Sequence, residues 1–204
     1  MKKSLIIVIV LVVVAAMLFF NGKSTFNKMT ELDQAAEQSW AQVEVNYQRR
    51  MDLIPNLVAT VKGYAEHESS TLESVTRARA GLTDAYNAAN EAGTGTSLTD
   101  EQAFAKGQKA QDALNKALSI YVNAVREAYP DLKANQQFLD LQTQLEGTEN
   151  RIATARNRYT ESVMAYNLAV KKFPANIWAS IFDFKAKPQF QADEEATRAP
   201  QVQF

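Results

Sequence analysis

Arg49-Arg50-Met51-Asp52-Leu53-Ile54-Pro55-Asn56-Leu57-Val58 lies between two long stretches of helical periodicity, and the reading of its proline decides how many helices the chain has. A proline inside a helix removes one backbone donor and clashes with the carbonyl four residues back, at a cost of about 3 kcal/mol. It also biases the preceding residue, here Ile54, away from the helical region. Pro55 is therefore expected to end one helix or to start the next, where its missing N–H is harmless. Asp52 and Asn56 have side chains suited to capping and turn hydrogen bonds. Arg50, Asp52, Pro55 and Asn56 together form a candidate helix-break motif. The competing reading is a kink within one long helix.

Upstream of this stretch, apolar or small residues recur at Met29, Leu32, Ala36, Trp40, Val43, Tyr47, Met51 and Ile54. Steps of three and four residues define an amphipathic helix with a coiled-coil-like stripe. Downstream the stripe resumes at Val58, Val61, Ala65, Glu68, Leu72, Val75, Arg79, Leu82, Tyr86 and Ala89. Its phase carries across Pro55, which is the best argument for the kink.

Further out, Lys2 and Lys3 precede an unbroken apolar run from Leu5 to Phe20. With its flanks the run is about 19 residues, or roughly 28 Å of helix, enough to cross a bilayer. A cleaved signal peptide has a shorter apolar core and a small-x-small exit. Here Ala15-Ala16 lie inside the run and the exit is Phe19-Phe20-Asn21-Gly22, so residues 1–22 are expected to be an uncleaved single-pass anchor in the cell membrane. The lysine balance favours a cytoplasmic N-terminus and an extracytoplasmic remainder.

Glu91 to Leu98, with Gly93 and Gly95, reads as a loop. Thr99 and Gln102 form a candidate capping box. The third helix carries Phe104, Ala110, Leu114, Ala117, Tyr121, Val125 and Ala128, and Pro130 ends it. Pro130-Asp131 begins a fourth, with Leu132, Phe138, Leu141, Leu145, Ile152, Ala155, Tyr159, Val163, Tyr166 and Val170 on its stripe. Four long helices with short connections favour antiparallel neighbours in one bundle. The expected fold is all-α: the transmembrane helix, an antiparallel up-and-down four-helix bundle over residues 23–174, a short apolar helix over 175–184, and a disordered polar tail over 185–204.

Several blocks resemble the LemA family. They are Trp40, Val43-Glu44-Val45, the Arg49–Val58 stretch, Val61-Lys62-Gly63-Tyr64, His67-Glu68 and Leu72-Glu73-Ser74-Val75-Thr76. A second set comprises residues 141–153 (LQTQLEGTENRIA), Ala155-Arg156, Tyr159, Tyr166-Asn167 and Phe173-Pro174-Ala175-Asn176. The resemblance runs in order from residue 29 to about 184. It implies a single membrane anchor and an up-and-down four-helix bundle, and it carries over no activity and no catalytic residues. The family usually places Gly-Phe where this chain has Asp183-Phe184.

The chain of 204 residues has a net charge of −1 and no cysteine, which excludes disulfides, thiolate metal sites and a cysteine nucleophile. Basic residues are interspersed with acids, so nucleic-acid binding lacks its footprint. His67 is the one histidine. It has no second histidine at metal-ligand spacing and no nucleophile elbow for a triad. Arg49, Arg50, Arg151, Arg156 and Arg158 are expected to form surface pairs with acids across helices. No cofactor, metal or catalytic residue is expected. The expected role is a scaffold or interaction module at the cell envelope, with the lipid bilayer, an envelope protein or a second copy as partner. The alternatives are a membrane-surface assembly or remodelling protein, and an enzyme with a site around His67, Glu68 and Glu149. After the fourth helix returns to the bilayer, Ile177, Trp178, Ile181, Phe182 and Phe184 are the candidate membrane or partner contact. The competing reading has that segment fold back and cap the helical body.

Overall fold

A computed structural model describes residues 2–65, 73–93 and 98–191 of the chain, with side chains from residue 4. Every described element is helical. Helix α1 spans Lys2–Ala65, α2 Glu73–Ala92, α3 Glu101–Ala128, α4 Gln136–Lys171 and α5 Ala175–Ile181, with a 3₁₀ turn at Pro130–Ala134 before α4.

The 64 residues of α1 extend about 96 Å at the α-helical rise. The helix changes character along its length. Every residue from 4 to 21 is exposed, although the run is almost wholly apolar. From Met29 onward the stripe is buried: Met29, Ala36, Trp40, Val43, Tyr47, Met51 and Ile54 all lie in the core.

Pro55 does not break the chain into two helices. It stands inside α1, which continues to Ala65, so the first connection falls in residues 66–72, outside the described residues. The reason lies in the stripe. Pro55 is exposed, while Ile54, Leu57 and Val61 beside it are buried in one cluster with Met51. Burial of those side chains outweighs the lost hydrogen bond to the Met51 carbonyl. Asp52 and Asn56 cap nothing. Asp52 Oδ1 accepts from Gln48 Nε2 at 2.8 Å, and Asn56 Nδ2 donates to the Asp52 carbonyl at 3.3 Å, both within the helix.

Two other helix starts are shifted. Asp100, not Thr99, caps α3, its carboxylate accepting from the backbone N–H of Gln102 at 2.9 Å and Ala103 at 3.1 Å. Pro130-Asp131 opens the 3₁₀ turn rather than α4, whose cap is Asn135, accepting from the Phe138 N–H at 3.1 Å.

Helix α1 packs along α4, and α2 along α3. As residue numbers rise along α1, those of its α4 partners fall: Met29 lies with Tyr166 and Val170, Trp40 against Tyr159, and Arg50 against Glu149. The core is three clusters stacked along this axis. The first joins Met29, Tyr166 and Val170 to Ala179 of α5. The second gathers Trp40, Val43, Tyr47, Phe104, Ile152, Tyr159 and Val163. The third, at the far end, takes residues from all four long helices, including Leu57, Leu82, Leu114 and Leu141. On the downstream stripe Arg79 is exposed, while Glu68 and Leu72 lie outside the described residues.

The expected disordered tail is overturned over its first part. Residues 185–191 lie as an extended strap against the helices, with Lys187 buried and Phe190 packed on the second cluster. Polar composition suggested disorder, but the side chains of Lys187 and Phe190, with hydrogen bonds from Asn167, Tyr159 and Gln108 to the strap backbone, tie it down. Residues 192–204 lie outside the described residues.

Candidate functional site at the junction of the apolar segment and the helical body

The exposed apolar part of α1 meets the helical body at Asn21 and Gly22, and there α5 is docked. The contact begins with a missing side chain. A Cβ on Gly22 would stand 2.9 Å from Cζ3 of Trp178, so the indole lies directly on the helix backbone. Its Nε1–H donates to Asn21 Oδ1 at 3.1 Å. Phe182 stacks on the indole at 6.0 Å, and Phe26 meets Phe182 and Phe184 edge-on at 5.0 and 5.6 Å. Ala179 is buried against the first core cluster.

The five candidate contact residues are therefore divided. Trp178 and Phe184 turn inward onto α1. Ile177 and Ile181 are 52% and 63% exposed, and Phe182 keeps 40% exposure despite its stacking. Ile177 and Ile181 share one face of α5, being four residues apart, and Phe173, in the turn before the helix, is 75% exposed. Lys23, Lys171, Lys172 and Lys185 are exposed close to this face in sequence. The result is an apolar patch fringed with cations, beside the end of an apolar helix, which suits the interfacial zone of a bilayer.

Arg50 is not a surface residue. Its side chain is 1% exposed, and Nη1 donates to Glu149 Oε1 at 2.9 Å. Nη2 donates to both the carbonyl and the side-chain oxygen of Gln111 on α3. Arg156 donates to the Tyr47 hydroxyl at 2.9 Å and to Asp112 at 2.7 Å. Burial works against the Arg156 cation, but Tyr47 and Asp112 more than offset it and leave its pKa raised. Burial raises the Tyr47 phenol as well. Both arginines thus link α1, α3 and α4 through hydrogen bonds to side chains and a carbonyl of the neighbouring helices. Of the conjectured catalytic group, Glu149 is held by Arg50, while His67 and Glu68 lie outside the described residues. Among the described residues no three His, Cys, Asp or Glu side chains converge as a metal site would require.

Sequence reasoning singled out Ile177, Trp178, Ile181, Phe182 and Phe184, the collar at this junction, but not Gly22 and Asn21, which receive the indole. The signal was a small residue directly after the apolar run, in a position where a ring could lie flat. It also missed Gln111, whose place on the α3 stripe one step before Leu114 was readable.

Among the described residues the elements are all helical, and one helix is long and apolar enough to cross a membrane. The LemA family profile matches residues 39–204, and the chain belongs to the LemA family. Among curated proteins it is similar to magnetosome proteins MamQ 2 and MamQ 1 of Paramagnetospirillum magneticum, each 31% identical over 183 residues. It is also similar to magnetosome protein MamQ of Magnetospirillum gryphiswaldense, 26% identical over 175 residues. The alignments cover 82%, 82% and 81% of this chain and 64% of each relative, so the chain spans just under two-thirds of the relatives' length.

Proposed function

We propose that the protein is a single-pass, membrane-tethered scaffold whose helices α1–α4 form an antiparallel up-and-down bundle on the extracytoplasmic face of the cell membrane. In this reading it works by holding and binding partners at the envelope and has no catalytic activity of its own. One observation carries the proposal. A single uninterrupted helix contains an apolar run exposed at every position from 4 to 21 and then, from Met29, a stripe buried in the core. An apolar run of that length has no favourable place in water. The continuity of α1 means that a bilayer around the run would hold the body upright, projecting about 65 Å from the junction to Ala65.

The collar supports the same reading. Ile177 and Ile181 face outward where the apolar run ends, which suits the interfacial zone of a bilayer and bears on the tether rather than on its orientation. The buried arginines fit a structural role, since their hydrogen bonds join α1 to α3 and α4. Washing membranes that carry the full chain with high salt and then alkaline carbonate tests the tether: the protein should remain in the pellet. Complete release into the wash would refute it.

A further inference from the structure

After α5 the chain runs as an extended strap across α4, α1 and α3, and the way it is held has the form of peptide recognition. Asn167 of α4 reads both backbone groups of Lys187: its Nδ2 donates to the Lys187 carbonyl at 2.9 Å, and its Oδ1 accepts from the Lys187 N–H at 2.8 Å. Four residues on, Gln108 of α3 treats Gln191 the same way, donating to its carbonyl at 2.6 Å and accepting from its N–H at 3.2 Å. Between them the Tyr159 hydroxyl donates to the Pro188 carbonyl at 3.0 Å. Side chains are read as well. Lys187 Nζ lies 2.9 Å from Asp33 and 3.6 Å from Glu37 of α1, over the ring of Tyr166. The Phe190 ring sits among Trp40, Phe104 and Tyr159 at 5.2–6.0 Å, with the Arg156 guanidinium 4.9 Å from its centre.

Everything this groove recognises lies in five residues, Lys187-Pro188-Gln189-Phe190-Gln191. The strap's own covalent link to α5 contributes none of these contacts. A groove of paired carboxamides, an acidic pocket and an aromatic pocket would therefore bind the same segment arriving from another chain. The hinge favours such an arrival. Asp183 sits at φ 57°, in the left-handed region that aspartate enters more readily than most residues with a Cβ but still at some cost, and straightening the hinge relieves it. A short hinge under strain promotes exchange of an element between identical chains. Resting here on the anchoring proposed above, two copies in one bilayer would hold their grooves at the same height. From Ile181 to Lys187 an extended chain reaches about 20 Å, enough for a neighbour packed side by side once Phe182 and Phe184 leave Phe26.

We propose that this groove is a peptide-binding site for a Lys-Pro-x-Phe segment, and that its occupant in trans is the strap of a second copy, exchanged between neighbouring chains in the membrane. The chain has no cysteine, which makes the test direct. Ala105 on the groove wall and Gln189 on the strap line the same cavity. Full-length chains carrying Ala105→Cys and, under a different tag, Gln189→Cys are co-expressed, and their membranes are treated with a short bismaleimide. The exchange predicts a cross-linked species bearing both tags. Adding Lys187→Glu to the Gln189→Cys chain should reduce it at least tenfold, and Asp33→Lys with Glu37→Lys in the Ala105→Cys chain should restore it. Linking that occurs only within a chain carrying both cysteines, and never between the singly substituted chains, would overturn the proposal. A mixed-tag species indifferent to Lys187→Glu would overturn it too. Sedimentation of the same sample reads the tether separately: soluble protein defeats the anchoring, while the cross-link alone judges the exchange.

Discussion

Arg50 shows how one residue can be visible in the sequence and yet misplaced by it. Its position between Tyr47 and Met51 was plain, but a charged side chain there reads as a surface pair. The structure buries it because Glu149 and Gln111 sit where the guanidinium ends, an arrangement that depends on α3 and α4 and so has no local signal. Its Nε has no partner among the described residues, so the site is not optimal for a cation. Glu149→Ala should destabilise the protein by about 2–3 kcal/mol, somewhat below the cost of breaking a fully buried pair, because Glu149 keeps some solvent contact. Arg50→Met combined with Glu149→Leu should recover most of that loss, measured by chemical denaturation of the detergent-solubilised chain.

The buried tyrosines make a second prediction at this scale. Burial pushes the phenols of Tyr121 and Tyr166 up to about 12, with Asp33 adding to the shift at Tyr166, and it raises Tyr159 further. A raised phenol pKa means that the folded state keeps its protons where the unfolded chain has lost them. Their contribution is therefore fully present below about pH 10, the ordinary tyrosine value, and is lost as pH rises from there through the folded values. Denaturation midpoints should hold between pH 8 and 9.5 and fall above pH 10, with tyrosinate absorbance appearing together with unfolding. Phenols that ionise below pH 10 without unfolding would contradict this.

At the scale of elements, most of the helices were legible, because stripes at three and four residues are a property of the local sequence. All ten stripe positions expected on the fourth helix are buried, nine of them in α4 and Leu132 in the 3₁₀ turn before it. What failed was the weighing of a local penalty against a distant gain at Pro55. The stripe's unbroken phase was the better guide, and the proline's cost is now a prediction. Pro55→Ala should stabilise the protein by up to about 3 kcal/mol without changing its oligomeric state. Gly63, Gly81 and Gly147 are helical, and a Cβ at each would meet open space, so alanine there should add about 0.5–1 kcal/mol apiece. The strap was not legible: its two anchoring residues are isolated in a polar stretch, and the pockets that receive them are built from three other helices.

The collar allows an element-level test of its outward face. A single cysteine at Ile181 carrying an environment-sensitive fluorophore should emit to the blue of the same label at Val45 when the full chain is in anionic nanodiscs. Val45 is equally exposed, at 67%, but belongs to the stretch of α1 beside the second cluster, more than 30 Å further along the helix. Identical emission from the two labels would place α5 away from lipid.

For the molecule as a whole, the account depends on α1 being at once an anchor and a structural member. That dual role was half legible. The apolar run and the stripe were each clear, but their fusion into one helix with α5 docked on Gly22 where they meet was not. The most direct measurement is protease added outside intact spheroplasts that express the full chain, followed by detection of each end. The account predicts loss of the helical body, with a short fragment containing the apolar run retained in the membrane. Full protection of the body while the membrane is intact, or release of the whole chain into the supernatant, would contradict it.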